Sequence, residues 1–238
     1  HCLQRRGKRC VWPANRGSGS EGKEAFMTSQ AHNDFQSLMQ SVADLIDIHG
    51  QVQIGRGRRH GKESIHRAGV VLTVAAWQAY IEKITLEALA IIEQIFDRNI
   101  PNNQTPPWAI SSFYFRKPSV TKSVGDLNTP NSQNVTRLLD WSFGLDPKQS
   151  WVWNAPNRNW NPNEFCSRTD QWLRIRHTIA HGNALPDNLP WIKNNAGTPR
   201  LNLNLLKECK KHFEKLVDLT DHAMGEHLRN VYQIQVNW

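Results

Sequence analysis

Cysteine, methionine and tyrosine are scarce in these 238 residues, numbering four, three and three. Four cysteines without paired spacing do not make a disulfide framework. Long apolar runs are missing as well. The longest, Ala68 to Ile81, is broken by Thr73 and Gln78 and followed by Glu82 and Lys83. It falls short of the ~20 apolar residues that span a bilayer. The hydrophobic share is 39% and the mean hydropathy −0.60. There is no internal repeat, no alternation of strand and helix patterns, and no convincing strand pair, which excludes doubly wound and sandwich folds. No charged-then-apolar leader opens the residues, so the expected compartment is the reducing cytoplasm.

Positive charge is what the chain has in excess. Lys+Arg number 29 against 21 Asp+Glu, a net charge of +8 and a pI near 9.5. That balance favours an acidic partner such as nucleic acid. Half of it lies in residues 1–26, where Arg5, Arg6, Lys8, Arg9, Arg16 and Lys23 face only Glu21 and Glu24. This segment has no apolar periodicity, and Met27 opens a different texture. Residues 1–26 are therefore expected to be a disordered or non-native basic extension, with a nucleic-acid-binding arm as the alternative, and residues 27–238 a single helical domain.

The periodicity is helical. Phe35, Leu38, Val42 and Leu45 predict an amphipathic helix over 34–48, capped by Asn33 or Asp34. Val70, Val74, Trp77, Ile81, Ile84, Ala88, Ile91 and Ile95 step by four and three, predicting a long helix from about Glu63 to Phe96. Such a helix needs partners of similar length, so a bundle is implied. Residues 101–165 are rich in Pro, Asn and Trp. They predict a short helix over 135–143 capped by Asn134, with Trp151, Trp153 and Trp160 in loops packed on the bundle. Helices over 167–181, capped by Ser167 and stopped by Gly182-Asn183, and over 205–230 complete the pattern. In the last, Leu206, Cys209, Phe213, Leu216, Val217, Ala223 and Met224 are expected inside, and the Lys, Glu and Asp residues, Asp218 and Asp221 among them, outside.

Two constellations invite chemistry. The loop Gly55-Arg56-Gly57-Arg58-Arg59-His60-Gly61-Lys62 resembles a phosphate loop, but its spacing fails, it follows a helix, and Glu63 stands where Ser or Thr would bind magnesium. It reads as a basic loop, with Arg56, Arg58, Arg59 and Lys62 available to a nucleic-acid backbone. The second is Arg174-Ile175-Arg176-His177-Thr178-Ile179-Ala180-His181 at a helix end. His177 and His181, at i and i+4, suit two metal ligands, but no H-E-x-x-H glutamate or cysteine pair accompanies them; Cys166 is one conceivable addition. Arginine is a permanent fork-shaped phosphate ligand, and imidazole exchanges a proton near neutral pH. The same set can cleave RNA without a metal or other cofactor, or can simply cover the carbonyls at the negative pole of the helix dipole.

Arg176 to His181 resembles the R-x4–6-H motif of the HEPN superfamily, including a polar residue just after the arginine and Gly-Asn just after the histidine. The stretch Ala68 to Glu82 is similar to the second helix of the RiboL-PSP-HEPN type. The resemblance covers about residues 30–230. It implies an all-α HEPN-like bundle of four main helices plus short helices in the Pro/Trp-rich insert, forming a homodimer with two motifs facing one cleft. It also implies a metal-independent endoribonuclease of toxin–antitoxin, phage-defence or RNA-processing type, paired in some settings with an antitoxin protein, or else a non-catalytic module that binds nucleic acid or protein. By position, Arg176 and His181 become the catalytic pair, His177 an accessory, and Glu82 the acidic residue that orients Arg176 or else a surface carboxylate paired with Lys83 or Lys62; Arg174 adds positive charge for RNA.

Overall fold

A computed structural model describes residues 28–51, 62–99, 107–155 and 158–238. Six helices carry the fold: α1 (Gln30–Gln51), α2 (Lys62–Asn99), α3 (Pro107–Gly125), α4 (Ser132–Phe143), α5 (Pro162–Ala180) and α6 (Leu203–Asn230). A small antiparallel hairpin, β1 (Trp153–Ala155) with β2 (Arg158–Trp160), pairs Trp153 with Trp160 and lies before α5. The all-α reading holds, and the hairpin corrects the loops expected around Trp153 and Trp160.

The spine is α2, about 57 Å long at 1.5 Å per residue, with α1, α3, α5 and α6 all packed against it. Its 4-3 row is the core: Val70, Val74, Trp77, Ile81, Ile84 and Ala88 are buried. Gly69 lets α6 approach closely, since a Cβ there would lie 2.6 Å from Leu206 Cδ1. The seven α6 positions expected inside are all buried, but Asp221 is buried with them at 4% exposure. Its carboxylate accepts from Ser29 N (3.2 Å), the Ser29 hydroxyl and Tyr80 OH (3.2 Å). That network ties the start of α1 to the centre of the bundle. Ser29 Oγ also accepts from His32 N at 2.9 Å, so α1 starts before the predicted Asn33 or Asp34 cap. Its buried stripe is Phe35, Met39 and Val42, while Leu38 is 45% exposed.

The region 101–165 departs most from expectation. It contains the whole of α3, with Pro118 inside the helix. Helix α4 is capped by Asn131 rather than Asn134: the Asn131 side chain accepts from Asn134 N at 2.7 Å. Trp151 is fully buried and donates to Thr220 Oγ1 at 3.0 Å. No helix among the described residues is long and apolar enough to cross a membrane.

Candidate functional site

Helix α5 carries the motif, and its beginning lies earlier than Ser167. Asn161 caps it, Pro162 occupies the first turn, and Glu164 completes a capping box, its N accepted by Asn161 Oδ1 at 3.0 Å. Phe165, Cys166, Thr169, Trp172, Leu173 and Ile175 turn inward. Trp172 is fully buried and meets Trp191 edge-on at 4.7 Å between centroids. Asp170 accepts from Ser132 N and Ser132 Oγ, both at 2.8 Å, clamping the start of α4 to the middle of α5. These contacts fix the axis on which the motif's side chains stand.

The far end of α5 closes in a Schellman arrangement. Asn183 N reaches Thr178 O at 2.8 Å and Gly182 N reaches Ile179 O at 3.1 Å, with Gly182 at φ +68°. Glycine adopts that left-handed conformation without a Cβ clash. His181 is thereby held at the C-cap, its N bonded to His177 O at 3.1 Å. Its imidazole lies over that of His177, centroids 4.3 Å apart and planes at 52°. Both histidines are exposed and Arg176 is half-buried. The Nε–H of Arg176 is buried and meets no acceptor among the described residues. Trp172 Nε1, one turn earlier on α5, is likewise buried without a partner among the described residues.

The structure pairs the His177 and His181 rings, carries Arg176 half-buried in the same turn of α5, and leaves Arg174 exposed on the same helix. It does not join Glu82 to them. Glu82 Oε1 accepts from Gln78 Nε2 at 3.0 Å, and Gln78 also donates to Leu127 O at 3.0 Å, beside the α3–α4 turn. Arg176 forms no ion pair with a described carboxylate. Lys62 is also corrected. It is 6% exposed and donates Nζ to His49 O at 2.8 Å, so it closes the end of α1 rather than facing an RNA backbone. Arg56, Arg58 and Arg59 lie outside the described residues. Among the described residues no three His, Cys, Asp or Glu side chains gather as metal ligands. Cys166, one conceivable addition to the histidine pair, is buried on the inner face of α5 with its thiol pushed up by burial.

Sequence reasoning missed His212. It is 2% exposed on α6, and its Nε2 lies 2.8 Å from Thr169 Oγ1. The Thr169 hydroxyl gives its hydrogen to Phe165 O at 3.0 Å, so it accepts from His212. Burial, and then the charge of Arg168, lower the pKa of His212 to about 3. The group supports α5 from below as a neutral imidazole.

The candidate site is thus the end of α5: a Schellman-closed helix end, the paired rings of His177 and His181, and Arg176 in the same turn with a buried, unpartnered Nε–H. No curated protein and no solved structure matches the chain. The RiboL-PSP-HEPN family model matches residues 33–226, from the first turn of α1 to the last turn of α6 with the Arg176–His181 segment inside it, and the chain belongs to that family.

Proposed function

We propose that the protein is a metal-independent endoribonuclease whose cleavage site is the Arg176–His181 end of α5. The observation that carries this reading is the pairing of the exposed His177 and His181 imidazoles, centroids 4.3 Å apart, at a helix end that carries Arg176 in the same turn. One imidazole takes the proton from a ribose 2′-OH as its oxygen attacks the adjacent phosphorus. A second delivers a proton to the 5′-oxygen as the P–O5′ bond breaks. The products are a 2′,3′-cyclic phosphate and a 5′-hydroxyl. The Arg176 guanidinium holds the charge that builds on the non-bridging oxygens.

One motif offers few groups to surround a phosphate. The site is therefore composite: two copies related by a two-fold axis present Arg176 and His181 from both chains to one cleft, with Arg174 raising its positive potential. An antitoxin protein that covers the same cleft would be the natural control of such an activity.

The test is incubation with RNA in EDTA, with product ends analysed. Cleavage to 2′,3′-cyclic phosphates is expected, and His181→Ala should slow it by ~10²–10⁴-fold, the usual loss for a general acid or base. RNA that is bound but never cut would make this a non-catalytic binding module instead. Cleavage unchanged in His181→Ala would remove the mechanism.

A further inference from the structure

The exposed residues of α5 do not stop at the motif. Asn163, Ser167, Gln171, Arg174, His177 and His181 follow one another at steps of four, four, three, three and four, and all but half-buried Gln171 are exposed. They form a stripe along a single helix face, about 27 Å long at 1.5 Å per residue. Two grooves flank it and share Asn163, Ser167 and Gln171 as a floor. One, of about 360 Å³, is walled by Arg158, Trp160, Arg168 and Trp191. The other, of about 480 Å³, is walled by Lys148, Ser132, Asp170 and Arg174, and so runs toward the motif.

The walls have the chemistry of a nucleic-acid strand's binding partner. Their cations are Arg158, Arg168, Lys148 and Arg174, and their carboxylates only Glu164 and Asp170. Both carboxylates are occupied: Asp170 by Ser132, and Glu164 by Asn161 N at 3.3 Å and by Arg158 at 3.5 Å. Lys148 and Arg174 have no ion pair with a described residue. The arginines are stacked on indoles. The Arg158 guanidinium lies 3.9 Å from the Trp160 ring centroid and that of Arg168 3.9 Å from Trp191. Arg168 is also paired with Glu208 at 3.2 Å, with its side chain 11% exposed, so it builds the wall. Arg158 makes a long ion pair with Glu164 at 3.5 Å, but its side chain is 48% exposed. A guanidinium held over an indole offers a free base a second stacking surface and a phosphate its remaining N–H donors, with its ordering cost already met by the fold.

We propose that this face of α5 is a track for single-stranded RNA. It carries the nucleotides on one side of the scissile phosphate from the β1–β2 hairpin to the Arg176–His181 end. The proposal rests on the nuclease reading for its direction, but not for its binding. The hairpin and the Trp-rich segment before α5 then have a use: they supply Arg158, Trp160 and Lys148 to the track.

Binding is measured by fluorescence anisotropy with labelled oligouridylates of about twelve and about three nucleotides, in the His181→Ala background so that substrate survives. Arg158→Glu with Lys148→Glu should weaken the long oligonucleotide at least tenfold and leave the short one unchanged. The salt dependence of long-RNA binding should fall by about one contact per cation removed. Arg158→Lys keeps charge but not the plane, so it should weaken binding with the salt slope intact. In the chain without these changes, a 4-thiouridine RNA should photocrosslink to the segment holding Arg158 and Trp160, an observation independent of any variant's folding. Equal affinity of the charge-reversed and parent chains for the long RNA, or crosslinks confined to other elements, would overturn the track and leave the face to a protein partner. The two readings fail separately. Loss of long-RNA binding together with a His181→Ala chain that still cleaves removes the nuclease mechanism and keeps the track. An intact His181 dependence with unaltered long-RNA binding does the reverse.

Discussion

His177 lies one turn before His181 with the two ring centroids 4.3 Å apart, and the C-cap holds the second ring over the first. Groups this close act as a unit, so their losses should not add. His181→Ala is expected to cost ~10²–10⁴-fold in kcat, and His177→Ala less. The double variant should be scarcely slower than His181→Ala alone. Single-turnover rates on one RNA substrate measure all three. Losses that multiply would mean that the rings serve separate steps.

The composite cleft makes a prediction that one chain cannot satisfy. Arg176→Ala and His181→Ala should each be strongly slowed alone, and mixing them should restore part of the activity, because a mixed dimer can assemble one intact set of groups across its two-fold axis. Light scattering should give about twice 27.3 kDa at micromolar concentration. A fully active monomer is the result incompatible with this arrangement.

His212 sets a pH dependence of stability. The fold accepts its neutral form: burial and the nearby Arg168 charge bring its pKa from the ordinary 6.5 down to about 3. Below pH 6.5 the unfolded chain therefore binds a proton that the folded chain refuses. Stability falls as pH drops from about 6.5 to about 3, by up to ~1.4 kcal/mol per pH unit for this one group. His66, lowered chiefly by burial, pulls in the same direction. Urea midpoints between pH 7 and 4 should decline less steeply in His212→Gln than in the parent chain. Parallel slopes would show that His212 protonates without resisting the fold.

Much of this architecture can be read from residue spacing. The α2 and α6 stripes repeat over many turns, and the motif is compact enough to recognise on a helix end. Helix α3 is illegible because Pro118 sits inside it and its apolar residues, Phe113, Tyr114 and Phe115 among them, spread around the helix instead of forming one stripe. It is held by contacts made only after folding, such as Phe96 with Phe113 at 4.9 Å and the ion pair of Lys117 with Glu93. The start of α5 is different: Asn161-Pro162-Asn163-Glu164 spells a cap, a first-turn proline and a capping box, yet resembles the Pro/Asn-rich loops around it. Asp221 is expected outside and His212 goes unnoticed, since a charged or titratable residue at a helical position looks solvated until its partners, Ser29 and Thr169, arrive from distant segments.

Asp221 gives the sharpest test of the core. Its carboxylate receives the backbone and side chain of Ser29 and the hydroxyl of Tyr80. Burial first, and then the Asp221 charge, hold the Tyr80 phenol well above its ordinary pKa, so it stays a donor across the working pH range. Asp221→Ala would strand three buried donors where water cannot replace the acceptor, at a cost on the order of 3 kcal/mol. Asp221→Asn keeps one acceptor oxygen and should cost less. Tyr80→Phe removes one donor along with its need for a partner, and should be milder still. Thermal melts should therefore rank the variants Ala, Asn, Phe from least to most stable. Because Ser29 stands just before α1, hydrogen exchange in the first turns of α1 should accelerate most in Asp221→Ala, while the amides of α5 keep their protection. A uniform loss of protection across both helices would show instead that the network secures the whole bundle and not the docking of α1.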